Sequence, residues 1–244
     1  MPVLLLLLFS IALSIGMGII VLVIRRAQSK KLVPRLVPFP AAPCGGVLER
    51  VSIFQRPTCW LAVRSRSLAA VQAALGLHNP KPCSWAEGVT GDEKLFIAPP
   101  IKGWIFVVGT GLPDPSDDVD ICFRFLTVMS RKLGQVQFFS ANRILYHHAW
   151  VQAEGGKIRR AYAWAGRTLW QQGSPTQAEK ELELKCFEYA ETAERASFGQ
   201  PDHVCLNIDK VPLLAARWSL DPARIEERFL ESICGVAGQP SRRY

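Results

Sequence analysis

The sequence lacks the short motifs by which a reaction is usually read. Its 244 residues hold no C-x-x-C pair, no G-x-x-x-x-G-K-[ST] phosphate loop and no G-x-S-x-G turn. The first absence, with no histidine at finger spacing, argues against a metal site; the others remove P-loop and nucleophile-elbow chemistry. Acidic residues are missing from the first 35 positions, where Arg25, Arg26, Lys30, Lys31 and Arg35 stand. The 29 basic residues less these five leave 24 against 21 acidic ones, so the remainder of the chain carries only +3 of the +8 net charge. A nucleic-acid partner is therefore disfavoured, despite the basic–aromatic interleaving in Lys157–Trp164. Beyond Val47 there is no long polar break, internal repeat or low-complexity run. With 49% hydrophobic and 20% charged residues, this excludes a disordered tail and a polytopic membrane protein.

What is present begins with Val3–Ile24, an uncharged run of 22 residues. At about 1.5 Å per residue it makes roughly 33 Å of helix, enough for a hydrocarbon core of about 30 Å. A cleaved signal peptide is the competing reading. Its n-region would be Met1-Pro2, without a basic side chain, and Arg25-Arg26 stands where small residues should precede cleavage. We therefore expect an uncleaved single-pass anchor in residues 1–24, with the lipid bilayer as its partner. The basic residues that follow it place the rest of the chain in the cytoplasm. The odd count of 7 cysteines fits a reducing compartment. Within the span Ser10, Ser14 and Gly18 recur every fourth residue, and Ala12 and Gly16 form a second such pair. Small residues on one helix face let another helix approach closely, so this face is a candidate for self-association or for packing in a membrane complex.

Pro34, Pro38, Pro40, Pro43, Gly45 and Gly46 forbid helix and favour extended chain. Residues 25–46 thus read as a basic, Pro/Gly-rich juxtamembrane linker, a stalk before one domain at 47–244. In that domain Val47–Phe54, Cys59–Arg64, Lys94–Ala98, Trp104–Val108, Gln135–Ser140, Ile144–Glu154 and Lys157–Ala165 are expected strands. Ser67 caps a helix through Leu75 that ends at Gly76, and Ser116 or Asp117 opens another that ends at Gly134. Thr176 with Glu179 forms a capping box before an expected long helix to about Ala196. Two more helices are expected near Lys210–Trp218 and Pro222–Ser232. Strands joined by short links, with helices collected towards the end, give an α+β fold: a largely antiparallel sheet with helices on one face. Gly155-Gly156 fits a two-residue type I′ turn. Counting back from it pairs Ala153 with Ile158 and Trp150 with Ala161, in a hairpin expected to be central in the sheet.

The candidate site residues are few. His147 and His148 are adjacent on a strand and so point to opposite faces; they cannot share one ion or one proton. Asp114, Asp117, Asp118 and Asp120 cluster at the mouth of a helix, where helix capping explains them without a ligand. Gly109-Thr110-Gly111 begins like a phosphate loop, but no third glycine follows. Among the seven tryptophans, Trp170 lies in the polar stretch Leu169–Gly173 and is the expected exposed one; Trp164 sits across the hairpin from His147. The run Cys59–Arg64, followed by Trp85, Gly88 and Gly103-Trp104, has the character of a bacterial globular domain.

These residues imply a non-catalytic, membrane-tethered cytoplasmic domain that binds another protein as assembly subunit, adaptor or immunity-type protein. Its candidate binding residues are Trp170, His147, His148 and Trp164, and no cofactor is implied. The alternatives are a tethered enzyme, such as a hydrolase with His147 or His148 as base, and a small-molecule sensor with an aromatic pocket.

Overall fold

The computed structural model describes residues 58–84, 87–88, 94–189, 203–220 and 234–240, all within the unit Val37–Tyr244. The expected anchor with Ser10, Ser14 and Gly18, the linker, the strand Val47–Phe54 and the helix Pro222–Ser232 lie outside the described residues. No helix among the described residues is long and apolar enough to cross a membrane.

The elements in chain order are β1 (Cys59–Arg64), α1 (Leu68–Leu75), β2 (His78–Cys83), β3 (Leu95–Ile97), β4 (Trp104–Val108), α2 (Val119–Leu133), β5 (Gln135–Asn142), β6 (His147–Glu154), β7 (Lys157–Trp164), β8 (Thr168–Gln172), α3 (Gln177–Glu181), α4 (His203–Trp218) and β9 (Gly235–Gln239). The strands form one sheet in the order β2-β9-β3-β4-β1-β5-β6-β7-β8. Each of its pairings is antiparallel, which makes the fold α+β.

Helix boundaries follow local chemistry. The Ser67 side chain accepts from the Ala70 N–H to start α1, and Gly76 ends it in the left-handed region at φ 59°. Asp118 caps α2 by accepting from the Ile121 N–H, one residue beyond the expected start. Asp120 in its first turn and Arg131 and Lys132 in its last complement the helix dipole.

Alternating side chains build two cores, one on each face of the sheet. On one face Leu61, Val63, Val107, Phe138 and Val151 pack with Leu68 and Val71 of α1 and with Phe125, Leu126 and Met129 of α2. On the other face Trp60, Phe106, Phe139, Trp150, Tyr162 and Trp164 pack with Phe187 and with Val204, Ile208, Val211 and Leu214 of α4. Helices therefore cover both faces, where one was expected. The cause is in the strands: β1 and β4 are apolar on both sides, and each side has to be removed from water.

The β6–β7 hairpin keeps the expected turn and changes the expected register. Gly155 and Gly156 both take positive φ, 57° and 82°, and Ala153 still faces Ile158. Beyond them Arg159 is an extra residue, so Gln152 faces Arg160, Trp150 faces Tyr162 rather than Ala161, and His148 faces Trp164. This β-bulge shifts the alternation. Ile158 turns to the α2 face, while Arg160, Tyr162 and Trp164 turn to the other. Large residues consequently meet large ones beside Trp150, and Ala149, Ala161 and Ala163 gather under α2. The hairpin is not central either. β7 is next to the edge strand β8, and it is the helical and extended cover that buries both of its faces.

Three strands were missed by pattern. β2 contains Pro80 and Pro82, which have no N–H to give, and it lies at the sheet edge with β9 as its one neighbour. β9 is glycine-rich because its neighbours come close: a Cβ on Gly235 would strike the Ile97 carbonyl. β8 is a short edge strand bulged at Leu169, between the pairs Trp164–Thr168 and Ala163–Trp170.

Two glycines test this account. Gly156→Val should lower stability by more than about 1 kcal/mol, because a β-branched side chain resists positive φ. Gly173→Ala should cost more than Gly156→Ala, since Gly173 has φ 74° and its Cβ would meet the Arg159 carbonyl of the bulge. Denaturant midpoints of the three variants against the parent check the order; equal midpoints for the two alanine variants would remove the bulge contact.

Candidate functional site

The residues singled out by sequence divide between the two faces. His148 and Trp164 lie side by side on the aromatic face, both buried. His147 is half-buried, opposite Asn142 and pointing the other way. Trp170 is on the α2 face, only 6% exposed, with its ring edge-on to Phe123 at 6.0 Å. The expected exposure of Trp170 is thus corrected: β8 makes it part of a core.

The aromatic face carries a polar network that sequence reasoning did not assemble. The capping box is present, with the Thr176 hydroxyl accepting from the Glu179 N–H and the Glu179 carboxylate accepting from the Thr176 N–H at 2.7 Å. That same carboxylate reaches into the protein. It accepts from Trp150 Nε1 at 2.7 Å and from Arg160 Nε at 2.9 Å, and Arg160 Nη2 lies 2.8 Å from it. Both charged side chains are almost wholly buried, at 2% and 1% exposure. Arg160 Nη1 donates to the carbonyls of Ala161, Gln172 and Gly173, and Nη2 donates to Cys186 Sγ at 3.0 Å.

The expected long helix after Thr176 stops at Glu181. Glu183 takes positive φ, 51°, and the Leu184 N–H reaches back to the Glu179 carbonyl, a close-out that a helix uses to leave its axis. From there the chain runs non-helical through Tyr189. Leu182, Leu184 and Cys186 pack on the aromatic core, and Phe187 is buried against Trp164 at 4.7 Å between ring centroids. The Phe187 N–H donates to the Tyr162 hydroxyl, and its carbonyl accepts from Thr168 Oγ1. Residues 190–196 of the expected helix lie outside the described residues.

His148 is held from the other side. Asn207 Oδ1 accepts from the Lys185 N–H and Asn207 Nδ2 donates to the Lys185 carbonyl, which fixes the amide orientation. Nδ2 then also faces His148 Nε2 at 3.3 Å, so Nε2 is the acceptor and the ring proton sits on Nδ1. Nδ1 is buried without a partner among the described residues. Burial, with a smaller contribution from neighbouring His147, pushes the His148 pKa down to about 3. The ring is therefore neutral near pH 7 and a weak base.

Cys59, Cys122 and Cys186 are thiols rather than thiolates. Burial raises Cys186 to about 11, although Arg160 beside it pulls the other way. Burial likewise raises Cys59 and Cys122, with Asp114 adding to both. Low thiolate content means low nucleophilicity. Asp114 accepts from the Ser140 hydroxyl at 2.7 Å and from the Ser116 N–H at 2.8 Å, so it ties the approach to α2 onto β5. Among the described residues, no group of three or more His, Cys, Asp or Glu side chains is arranged to hold a metal ion. Cys234, just before β9, is disulfide-bonded.

No family model, curated protein or solved structure matches the chain.

Two measurements check the network. Glu179→Gln should cost about 3–5 kcal/mol, because it leaves Arg160 charged and buried, while Arg160→Met with Glu179→Leu should recover much of that loss. His148 works in the opposite sense to a stabilising ion pair. Its folded pKa lies below the unfolded value, so below about pH 6.5 the unfolded chain binds a proton that the folded one does not. Stability should fall between pH 6.5 and 5 with a slope approaching about 1.4 kcal/mol per pH unit. His148→Gln, which keeps an acceptor for Asn207, should flatten that slope; an unchanged slope would place the titration elsewhere.

Proposed function

We propose that the chain is a single-pass membrane-anchored protein whose domain binds another protein and catalyses no reaction itself. It would serve as an assembly subunit, adaptor or immunity-type protein. The observation that carries this reading is the commitment of the interior. Glu179 and Arg160 face three and five internal partners respectively, His148 is a weak buried base, and burial holds the thiols of Cys59, Cys122 and Cys186 protonated. Groups so engaged have little left for a substrate. The outside offers more: Leu206 and Leu213, seven residues apart on α4, stay over a third exposed and share one helix face. The helix thus supplies a better docking surface than His148 and Trp164, which are buried on the side that α4 covers, or than Trp170 and His147, which point to the opposite face. The enzyme reading with His147 or His148 as base, and the sensor reading, rest on no comparable feature.

The test is co-purification from mild detergent. Leu206→Asp with Leu213→Asp should remove a stoichiometric protein partner at unchanged stability, whereas a partner retained by this variant would clear α4 of the role. A bound metabolite in place of a protein would favour the sensor.

We further propose that the domain is cytoplasmic, on the strength of the basic residues after the apolar run. The disulfide at Cys234 favours the opposite side, since such bonds persist in oxidising compartments. A reporter fused after Tyr244 should be active only in the cytoplasm. A Cys234-dependent mobility difference on non-reducing gels of alkylated cells, with a silent cytoplasmic reporter, would reverse the assignment.

A further inference from the structure

The turn between β5 and β6 presents three large apolar side chains to solvent. Ile144 is 87% exposed, Leu145 58% and Tyr146 54%. A strand was expected to run through these residues, from Ile144 to Glu154; β6 instead begins at His147, and the preceding residues form the turn. The turn is firmly built. Asn142 Oδ1 accepts from both the Ile144 and Leu145 N–H groups at 3.0 Å, Tyr146 sits at φ 57°, and Arg143 is paired with Asp209 of α4 at 2.6 Å. Nothing in these bonds requires apolar side chains at the tip, and aliphatic residues in water are unfavourable. A use outside the domain explains them.

The position of the turn points to the occupant. β1 starts at Cys59 opposite Ser140, and the Thr58 carbonyl accepts from the Ala141 N–H at 2.7 Å. The described domain is therefore entered from the amino-terminal side at the very end of the sheet that carries Ile144, Leu145 and Tyr146. The Gly155-Gly156 turn lies at the opposite end of β6. Thr58, the residue to which the preceding sequence with its apolar run Val3–Ile24 is joined, lies at that pole. Two aliphatic side chains followed by a tyrosine suit a bilayer interface, where the hydrocarbon takes the aliphatics and the headgroup level takes the amphipathic ring. Arg143 is already neutralised by Asp209, so the attraction is apolar rather than electrostatic.

We propose that the β5–β6 turn is a second membrane contact, dipping Ile144, Leu145 and Tyr146 into the bilayer that holds the anchor and orienting the domain on its surface. The inference rests on the anchor reading. An interfacial tip would give the domain a point of attachment to the bilayer of its own. The face of α4 that carries Leu206 and Leu213 would then be held in a constant relation to the membrane.

The test uses the full-length chain in phosphatidylcholine vesicles with a photoreactive residue at the tip, Leu145→p-benzoyl-phenylalanine, and the same substitution at Lys157 at the far end of the hairpin. Irradiation should give a lipid adduct by mass spectrometry at position 145 in at least about tenfold excess over position 157, because an interfacial group lies within the acyl boundary. Equal yields at the two positions, no adduct at 145, or an adduct there to a second copy of the chain would each overturn the proposal. Washing the vesicles with alkaline carbonate separates the two layers of the argument. Chain released by the wash overturns the anchor and the tip together; chain retained with no lipid adduct at 145 overturns the tip alone.

Discussion

The ion pair between Arg160 and Glu179 is the constraint around which the sheet's aromatic face is arranged. Two buried charges are expensive unless each finds partners in good geometry, and here both do. Glu179 is placed by its own helix cap, since one carboxylate serves the Thr176 N–H and the guanidinium together. Arg160 is placed by the bulge at Arg159, without which it would point to the α2 face. The pair therefore joins a local signal, the capping box, to a long-range one, the sheet. It fixes where the chain after β8 crosses back over β7.

That crossing decides how the two faces are filled. On the α2 side the helix comes close, and the strands beneath it show Ala149, Ala153, Ala161 and Ala163. On the other side the cover is thinner, part helix and part non-helical chain. Trp150, Tyr162, Trp164 and Phe187 supply the bulk there. Close packing tolerates neither a void nor an overlap of a methylene or two. Small residues under the helix and large ones under residues 182–189 are two solutions to the same requirement.

Much of this was legible in residues, and the failures have physical causes. β1, β4, α1 and the Gly-Gly turn were readable because local chemistry and burial agree there. Ser67 and Gly76 bound an apolar stripe, and Trp104–Val108 is buried along its length apart from Trp104 itself. The register past Ala153 was not, because a bulge leaves no mark in sequence beyond a polar pair, Arg159-Arg160. The helix after Thr176 was overextended because its cap is real while its continuation is not. The alternation of Leu182, Leu184 and Cys186 with charged residues was the available sign of non-helical chain. Proline hid β2 and glycine hid β9, although both residues are ordinary at a sheet edge and at a close backbone approach. Of the candidate site, the opposed directions of His147 and His148 could be derived from strand geometry alone. The partners of His148, Asn207 and the Lys185 backbone, come from distant segments and had no local sign.

The same physics separates interior from function. A buried titratable group is useful to a reaction when its altered pKa lies near the working pH and one of its bonds is free to change. His148 meets neither condition on its Nε2 side, where Asn207 is itself locked to the Lys185 backbone. Arg160 and Glu179 have no bond free to change, because moving either one breaks contacts to β7, β8 and residue 186 at once. What remains adjustable is at the surface: the leucines of α4 and the apolar turn after β5. The turn lies at the pole where the chain enters the domain, and α4 is tied to that turn through Asp209 and Arg143. A domain held at this pole would present α4 in one fixed attitude. On the proposed reading, a partner would then meet Leu206 and Leu213 in one orientation.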